Sequence, residues 1–392
     1  MSPERTPTVW LIAGEESGDQ LGAKLMRALK AGPRADPVRF RGVGGHAMEA
    51  EGLASLFPLA DIAVMGILPV LKRLPSLVRR VFQAVDAVVA DRPDVLVIID
   101  SPDFTHAVAR RVRKRLPALP IVNYVSPTVW AWRPGRARKM RAYVDHVLAI
   151  KPFEPEALQR LGGPPCTYIG HPLGEKVAAL RPGPGERRPL GADPLEVLVL
   201  PGSRRSEIAR LMEPFGAALG QVVGEAGRPV SLTLPAVPHL AQEIEARAAG
   251  WPVRPRIVLG EDAKHAAFRR AHAALTSSGT ATLELAMAGV PMVVAYKVSK
   301  LEEQLKHFIT VPSIVLANLI VGEKIFPEFI QADCTPKKLA TALRPLLSDT
   351  AERGRQVEAF GRLDALMETG GEDPSRRAAR IVGEVARLRS PE

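Results

Sequence analysis

Ser278, Gly279 and Thr280 stand where an apolar run, Ala271 to Leu275 interrupted by His272, gives way to helical spacing. Thr282, Leu283, Leu285, Ala286 and Met287 keep that spacing up to a Gly289-Val290-Pro291 stop. The first amides of a helix have no internal partner and lie at the positive end of its dipole, so small residues there let a phosphate approach the backbone. Glu284, about one turn further on, is placed to accept hydrogen bonds from a ribose. A Ser/Thr-rich helix start is also ordinary capping, and this segment by itself does not choose between the two.

A second candidate follows the run Val197-Leu198-Val199-Leu200, which ends in Pro201-Gly202-Ser203-Arg204-Arg205-Ser206-Glu207-Ile208. Arg204 or Arg205 can clamp a diphosphate by paired charge-assisted hydrogen bonds, leaving the other as a solvated charge. Having Ser203, Arg204 and the Ser278 helix start in one half of the chain favours a nucleotide-diphosphate site. A third candidate is Asp100-Ser101-Pro102-Asp103-Phe104, after the apolar Val95 to Ile99. One of its carboxylates serves as a general base if burial or a like charge raises its pKa; otherwise it caps the next helix. The stretch Ala13-Gly14-Glu15-Glu16-Ser17-Gly18-Asp19 lacks the full G-x-G-x-x-G fingerprint, and its carboxylates would repel a pyrophosphate.

The elements that must position these groups alternate strand with helix, the pattern of parallel sheets covered by helices. Strands are expected at 8–13, 38–42, 94–99, 121–125, 146–150 and 167–170, then at 196–200, 230–234, 256–259, 273–276 and 292–296. The densest Pro/Gly stretch, Arg181 to Leu190, separates the two series. At 392 residues, 46% hydrophobic and 24% charged, the chain is globular, with about two or three domains. Cys166 and Cys334, the only two cysteines, support neither a disulfide framework nor a Cys-based metal site. No run reaches the roughly 18 apolar residues of a membrane span. A formal charge of +11 fits an anionic partner, although heavy Arg, Ala, Pro and Gly usage also fits a GC-rich genome.

The motifs at 13–19, Gly42-Val-Gly-Gly45, Asp100 to Phe104, Tyr124-Val-Ser-Pro-Thr-Val-Trp-Ala-Trp132, Gly170-His-Pro-Leu173, Leu200-Pro-Gly-Ser-Arg204, Ser277 to Glu284 and the Asn318 region occur in order over nearly the whole chain. In them the chain resembles the lipid-A-disaccharide synthase family. The resemblance implies a GT-B fold: an α/β architecture of two Rossmann-like domains whose parallel sheets face a central cleft. It implies an acceptor and lipid domain at 1–185, a UDP-sugar domain at 186–365, and a C-terminal helix at 366–392 returning to the first domain, with exchange between the chains of a homodimer left open.

The implied reaction is inverting transfer of 2,3-diacylglucosamine from UDP-2,3-diacylglucosamine to the 6-hydroxyl of 2,3-diacylglucosamine 1-phosphate (lipid X). It belongs to lipid A synthesis on the cytoplasmic face of a Gram-negative inner membrane. The resemblance casts Asp100 as the base, with Glu15 orienting the acceptor or sharing that role. It casts Ser203, Arg204, Ser278, Gly279, Thr280, Glu284 and Asn318 as substrate-binding, with no metal and no cofactor implied. Glu16 departs from the family pattern, where a small residue is more usual.

Met65 to Arg80 mixes apolar residues with Lys72, Arg73, Arg79 and Arg80, suiting either an anionic membrane surface or a buried helix with a basic edge. With the resemblance, Ile67, Leu68, Val70, Leu71, Lys72 and Arg73 are expected to contact membrane and acyl chains. Trp130 and Trp132 are expected to pack in the body of the enzyme rather than stack on nucleic acid, and no nucleic-acid partner is expected. Two rival readings are a sugar-nucleotide epimerase, which shares the UDP half but needs no lipid acceptor, and a basic nucleic-acid-binding protein, which leaves the ordered motifs unexplained.

Overall fold

A computed structural model describes residues 6–32, 38–63, 67–299, 303 and 311–386, except the side chains of 67–72. The chain divides into two compact units, Met1–His171 with Thr369–Glu392, and Pro172–Glu368.

The first unit is built on a six-stranded parallel sheet: β1 (Thr8–Ala13), β2 (Arg39–Val43), β3 (Val95–Ile99), β4 (Ile121–Tyr124), β5 (His146–Ala149) and β6 (Cys166–Tyr168). The spatial order is β2-β1-β3-β4-β5-β6. Every residue of β3 and β4 is buried, the continuous apolar reading expected when helices cover both faces of a parallel sheet. Helices Ile67–Asp91 and Pro102–Arg115 pack together, and helices Glu16–Lys30 and Pro374–Val385 form another pair. Trp10 is 1% exposed and donates its indole N–H to Asp91 at 2.8 Å, which satisfies the one polar atom that its burial would strand.

The second unit repeats the plan with β7 (Leu195–Leu200), β8 (Val230–Ala236), β9 (Arg256–Leu259), β10 (Ala273–Ser277), β11 (Met292–Tyr296) and β12 (Glu328–Ile330). Its order is β12-β11-β10-β7-β8-β9, again all parallel. The sequence reading omits β12, a three-residue edge strand too short to show a periodicity. Arg187, from the Pro/Gly-rich stretch, donates to the carbonyls of Phe268, Arg269, Ala288 and Gly289, so it caps the ends of two helices of this unit. His272, which interrupts the apolar run before β10, is 1% exposed. Its Nδ1 accepts from the Glu196 amide at 2.9 Å and its Nε2 lies 2.9 Å from the Arg188 carbonyl, fixing the Nε2–H tautomer.

In each sheet the chain starts centrally, builds outward on one side, then crosses to the other. The strand order therefore reverses between β1 and β3 in the first unit and between β7 and β10 in the second. In open α/β sheets ligands bind beyond the carboxyl ends of the strands flanking such a reversal.

Candidate functional site

The loops after β7 and β10 meet at the reversal in the second unit and enclose a cavity of about 550 Å³. Ser203, Arg204, Ser278, Gly279, Thr280 and Glu284 all line it. The sequence thus names six residues that the fold brings together across some eighty positions of chain.

The two helix starts in this cavity are not equivalent. Helix Arg205–Glu225 begins over Glu207, which is 6% exposed. Its carboxylate accepts from the Ser203 and Arg204 amides at 3.0 and 3.2 Å and from the Arg204 guanidinium at 3.3 Å. Gly202, at φ +116°, has to be glycine: a Cβ there would lie 2.3 Å from Glu207 Oε2. An internal anion already occupies that helix start. Helix Thr280–Met287 has no side-chain cap: its N-cap residue is Gly279, while Ser278 Oγ donates to the Ile314 carbonyl at 2.7 Å and Thr282 Oγ1 to the Gly279 carbonyl at 2.8 Å. Nothing lies within 4 Å of where a Gly279 Cβ would stand, so an anion has room to reach these first amides. Plain capping is therefore not what the Ser/Thr-rich start provides.

Glu284 sits one turn further on with its side chain 12% exposed. Lys264, from helix Glu261–Arg270, donates to both its carboxylate oxygens at 2.9 and 2.7 Å. Lys264 and Glu207 escaped the sequence reading. Glu207 carried one available signal, its position three residues past Arg204, where a carboxylate reaches back to the start of a helix. Lys264 carried none, since its partner lies twenty residues away on another helix. Arg205 pairs with Glu243 at 3.1 Å and does not line the cavity.

Asn318 does not join this set. It is 2% exposed, and its amide bonds Ser313 Oγ, the Phe326 carbonyl and the Ile325 and Phe326 amides at 2.9–3.2 Å. Its hydrogen-bonding capacity is spent pinning the turn after helix Leu316–Val321.

In the first unit, Gly14, Glu15, Glu16, Ser17, Ile62, Ala63 and Ser101 line a cavity of about 360 Å³ at the β1/β3 reversal. Gly14 makes that meeting close: a Cβ would lie 1.9 Å from Ser101 Cβ. Asp100 and Ser101 both take left-handed backbone angles, φ 52° and 43°, a conformation costing about 1–3 kcal/mol per non-glycine residue and met mostly at functional sites. The Asp100 amide donates to the Tyr124 carbonyl at 3.1 Å, and its own carbonyl accepts from Thr105 Oγ1 at 2.7 Å. Asp100 Oδ1 accepts from the Ser101 amide at 2.8 Å. Asp100 thus stands beside the cavity rather than lining it. Glu15 accepts from Ser17 Oγ at 3.1 Å, and Glu16 is exposed.

The rest of the 13–19 motif is architectural. Asp19, 3% exposed, accepts from the amides of Gly45, Ala47 and Met48 at 2.7, 2.9 and 3.1 Å, which ties the end of the Gly42-Val-Gly-Gly45 loop to helix Glu16–Lys30. Trp130 packs edge-on against Phe153 at 4.9 Å and donates to the fully buried Glu154 at 3.1 Å. Trp132 is half-buried, with the Arg133 guanidinium 4.0 Å from its ring centre.

The side chains of Ile67, Leu68, Val70, Leu71 and Lys72 lie outside the described residues. Arg73 donates to the Ala60 carbonyl at 3.4 Å. Further along the same helix, Leu74, Val78 and Phe82 are 48%, 45% and 50% exposed. Among the described residues no helix is long and apolar enough to cross a membrane.

Solved structures with the same fold include a Staphylococcus aureus MnaA–UDP co-structure, with TM-score 0.59, 13% identity and 98% of each chain covered. Acinetobacter baumannii MurG matches with TM-score 0.58 and 14% identity over 97% of this chain and all of that one. The GT-B expectation of two α/β units with parallel sheets holds. The lipid-A-disaccharide synthase of Rhodopseudomonas palustris strain HaA2 is 58% identical over 380 residues, 97% of this chain and 96% of the relative. That of Nitrobacter hamburgensis is 57% identical over 386 residues, 98% and 97% of the two chains. A family model for lipid-A-disaccharide synthetase matches residues 9–382, from β1 into the last described helix, and the chain belongs to this family of lipid A biosynthetic glycosyltransferases.

Proposed function

We propose that the chain transfers 2,3-diacylglucosamine from UDP-2,3-diacylglucosamine to the 6-hydroxyl of 2,3-diacylglucosamine 1-phosphate, with inversion at the anomeric carbon. The observation that supports it best is the uncapped helix start at Gly279–Thr280, with Arg204, Lys264 and Glu284 around it: a receptor for a nucleoside diphosphate leaving group. Ser203 and Ser278 flank the diphosphate, and Glu284 holds the ribose. Asp100 takes the proton of the acceptor hydroxyl as its oxygen attacks the anomeric carbon. The bond to the diphosphate breaks, its electron pair stays on the β-phosphate oxygen, and UDP departs. Glu15, in the first unit's cavity beside Asp100, orients the acceptor sugar.

The exposed row Leu74, Val78 and Phe82 supports peripheral attachment to the anionic cytoplasmic surface of the inner membrane, where both lipid substrates reside. Mass spectrometry of reactions containing both substrates, without added metal, tests the proposal. Disaccharide 1-phosphate and UDP are expected from the wild type. Asp100→Asn is expected to lower kcat by about 10²–10⁴-fold, the usual contribution of a general base. Folded wild type that forms no disaccharide refutes the reaction, and an active Asp100→Asn refutes the base alone.

A further inference from the structure

We propose that the cavity of about 440 Å³ between helix Pro102–Arg115 and the segment Arg133–Tyr143 binds a phosphate group carried on a lipid. It is separate from the two cavities at the strand reversals and shares no lining residue with them.

Two short helical rows build it. Asp103, His106 and Arg110 recur at spacing three and four along one face of helix Pro102–Arg115, while Arg136 and Lys139 are one turn apart on helix Gly135–Met140. Arg133, with φ +55°, precedes that second helix and completes the ring of cations. Four cations face one carboxylate: Asp103 pairs with Arg136 at 3.0 Å. Among the described residues Arg110, Arg133 and Lys139 have no carboxylate partner. Arg110 instead donates to the His106 carbonyl and lies 5.9 Å from the Tyr143 ring, and Arg133 rests on Trp132.

His106 adds no charge at neutral pH. It is 3% exposed, and its Nδ1 meets Tyr143 Oη at 3.0 Å. Burial, with Arg136 and Arg110 nearby, pushes its pKa down to about 4. Arg138 and Arg141, on the same short segment but outside the lining, are also cationic. Like charges held in one concavity repel one another, and an anion of about two charges relieves that repulsion. Paired N–H donors of arginine suit phosphate oxygens geometrically.

A lipid is indicated by the neighbouring helix. Helix Pro102–Arg115 packs against Ile67–Asp91, where Arg111, the residue after Arg110, places its guanidinium 5.2 Å from the Phe82 ring. Phe82 ends the exposed row Leu74, Val78, Phe82. A basic cavity beside an apolar row accommodates the two ends of an amphiphile. Two sources carry such a phosphate: the acceptor glycolipid, an assignment that rests on the reading under Proposed function, and an anionic phospholipid headgroup. The cavity begins at Pro102, two residues after Asp100, and the acceptor's own 1-phosphate is the source the position favours.

The test uses the full chain and a double variant, Arg133→Ala with Lys139→Ala, both exposed residues. Arg138→Ala with Arg141→Ala, which removes two exposed charges from the same segment outside the lining, controls for net charge. Steady-state kinetics are run with 2,3-diacylglucosamine 1-phosphate and with the same acceptor lacking phosphate; flotation is run with phosphatidylglycerol and phosphatidylcholine vesicles.

For the acceptor source, the double variant raises KM for the phosphorylated acceptor by about tenfold or more, as expected for losing charge-assisted phosphate contacts, and leaves KM for the other acceptor within about twofold of wild type. For the headgroup source, the variant leaves both KM values unchanged and loses retention on phosphatidylglycerol alone, while the Arg138→Ala, Arg141→Ala control keeps it. Equal KM values together with equal retention overturn the proposal, as does a rise confined to the donor KM. If the wild type forms no disaccharide, the acceptor reading fails separately and flotation alone decides the phosphate site.

Discussion

Replacing Glu284 by Gln is the sharpest probe of the nucleotide cavity. Glutamine keeps the shape of the side chain and one acceptor oxygen but removes the charge that Lys264 grips at 2.9 and 2.7 Å. The carboxylate is only 12% exposed, so its bonds to a ribose form largely out of water. A hydrogen bond to a charged group contributes about 1.5–3 kcal/mol and a neutral one about 0.5–1.5, a difference of about 1–1.5 kcal/mol for each of two ribose hydroxyls. The sum, about 2–3 kcal/mol, corresponds to about 30- to 150-fold weaker UDP binding. Lys264 is 30% exposed and can turn its ammonium to water, so the loss is expected in binding and not in folding. Calorimetric titration with UDP and 2′-deoxy-UDP separates ribose recognition from everything else. Wild type is expected to bind the deoxy ligand about tenfold more weakly, and Glu284→Gln to distinguish the two by less than about threefold. Equal discrimination by both proteins would refute the assignment.

Three further outcomes are expected. Asp19→Ala strands three backbone amides at the start of helix His46–Ala50, for a loss of about 3 kcal/mol by chemical denaturation; a change below about 1 kcal/mol contradicts the anchoring role. Gly14→Ala forces a Cβ onto Ser101 Cβ and is expected to reduce both thermal stability and kcat, with partial recovery when Ser101→Gly is added, because that change removes the clashing atom and eases the left-handed backbone; no recovery in the double variant argues against the clash. Acidification is expected to destabilise the first unit. His106 and His171, buried and depressed to about 4, take up protons near 6.5 when unfolded, so the unfolded state binds more protons between those values and stability falls with falling pH, by about 2 kcal/mol per histidine at pH 5. A urea midpoint unchanged between pH 7 and 5 would contradict this.

Among the described residues eleven of the twelve strands are legible in the sequence, most plainly where a buried parallel strand is a nearly continuous apolar run, as in Val95–Ile99 and Met292–Tyr296. Their spatial order is not, since no local pattern says that β3 lies against β1 and not against β2. Site residues are legible where chemistry and geometry coincide at a strand end, as at Ser278 to Glu284. They mislead where a polar residue inside a matching motif is spent on structure. Asn318 has a side chain suited to substrate, yet it closes a backbone turn, and only its burial with every hydrogen bond made reveals it. Trp130 and Trp132, for which the resemblance implies packing in the body of the enzyme, are both only half-buried, Trp130 against Phe153 and Trp132 under Arg133.

The nucleotide cavity shows why strand order and local capping have to be read together. Both β7 and β10 feed helices into it, and on dipole grounds alone either helix start can receive a diphosphate. Glu207 removes the first from contention by filling it with an internal carboxylate, and in doing so it holds Arg204 within the lining. The second is left without a side-chain cap because its N-cap residue is Gly279, and the preceding Ser278 hydroxyl bonds the Ile314 carbonyl. A Ser278→Ala variant is therefore expected to free the Ile314 carbonyl without adding a cap, and a Glu207→Gln variant to release Arg204 and the loop amides. If the diphosphate rests on the Gly279–Thr280 amides, both weaken UDP binding. If Glu207→Gln strengthens it, the loop after β7 is the true anion receptor and the order of the two helix starts is reversed.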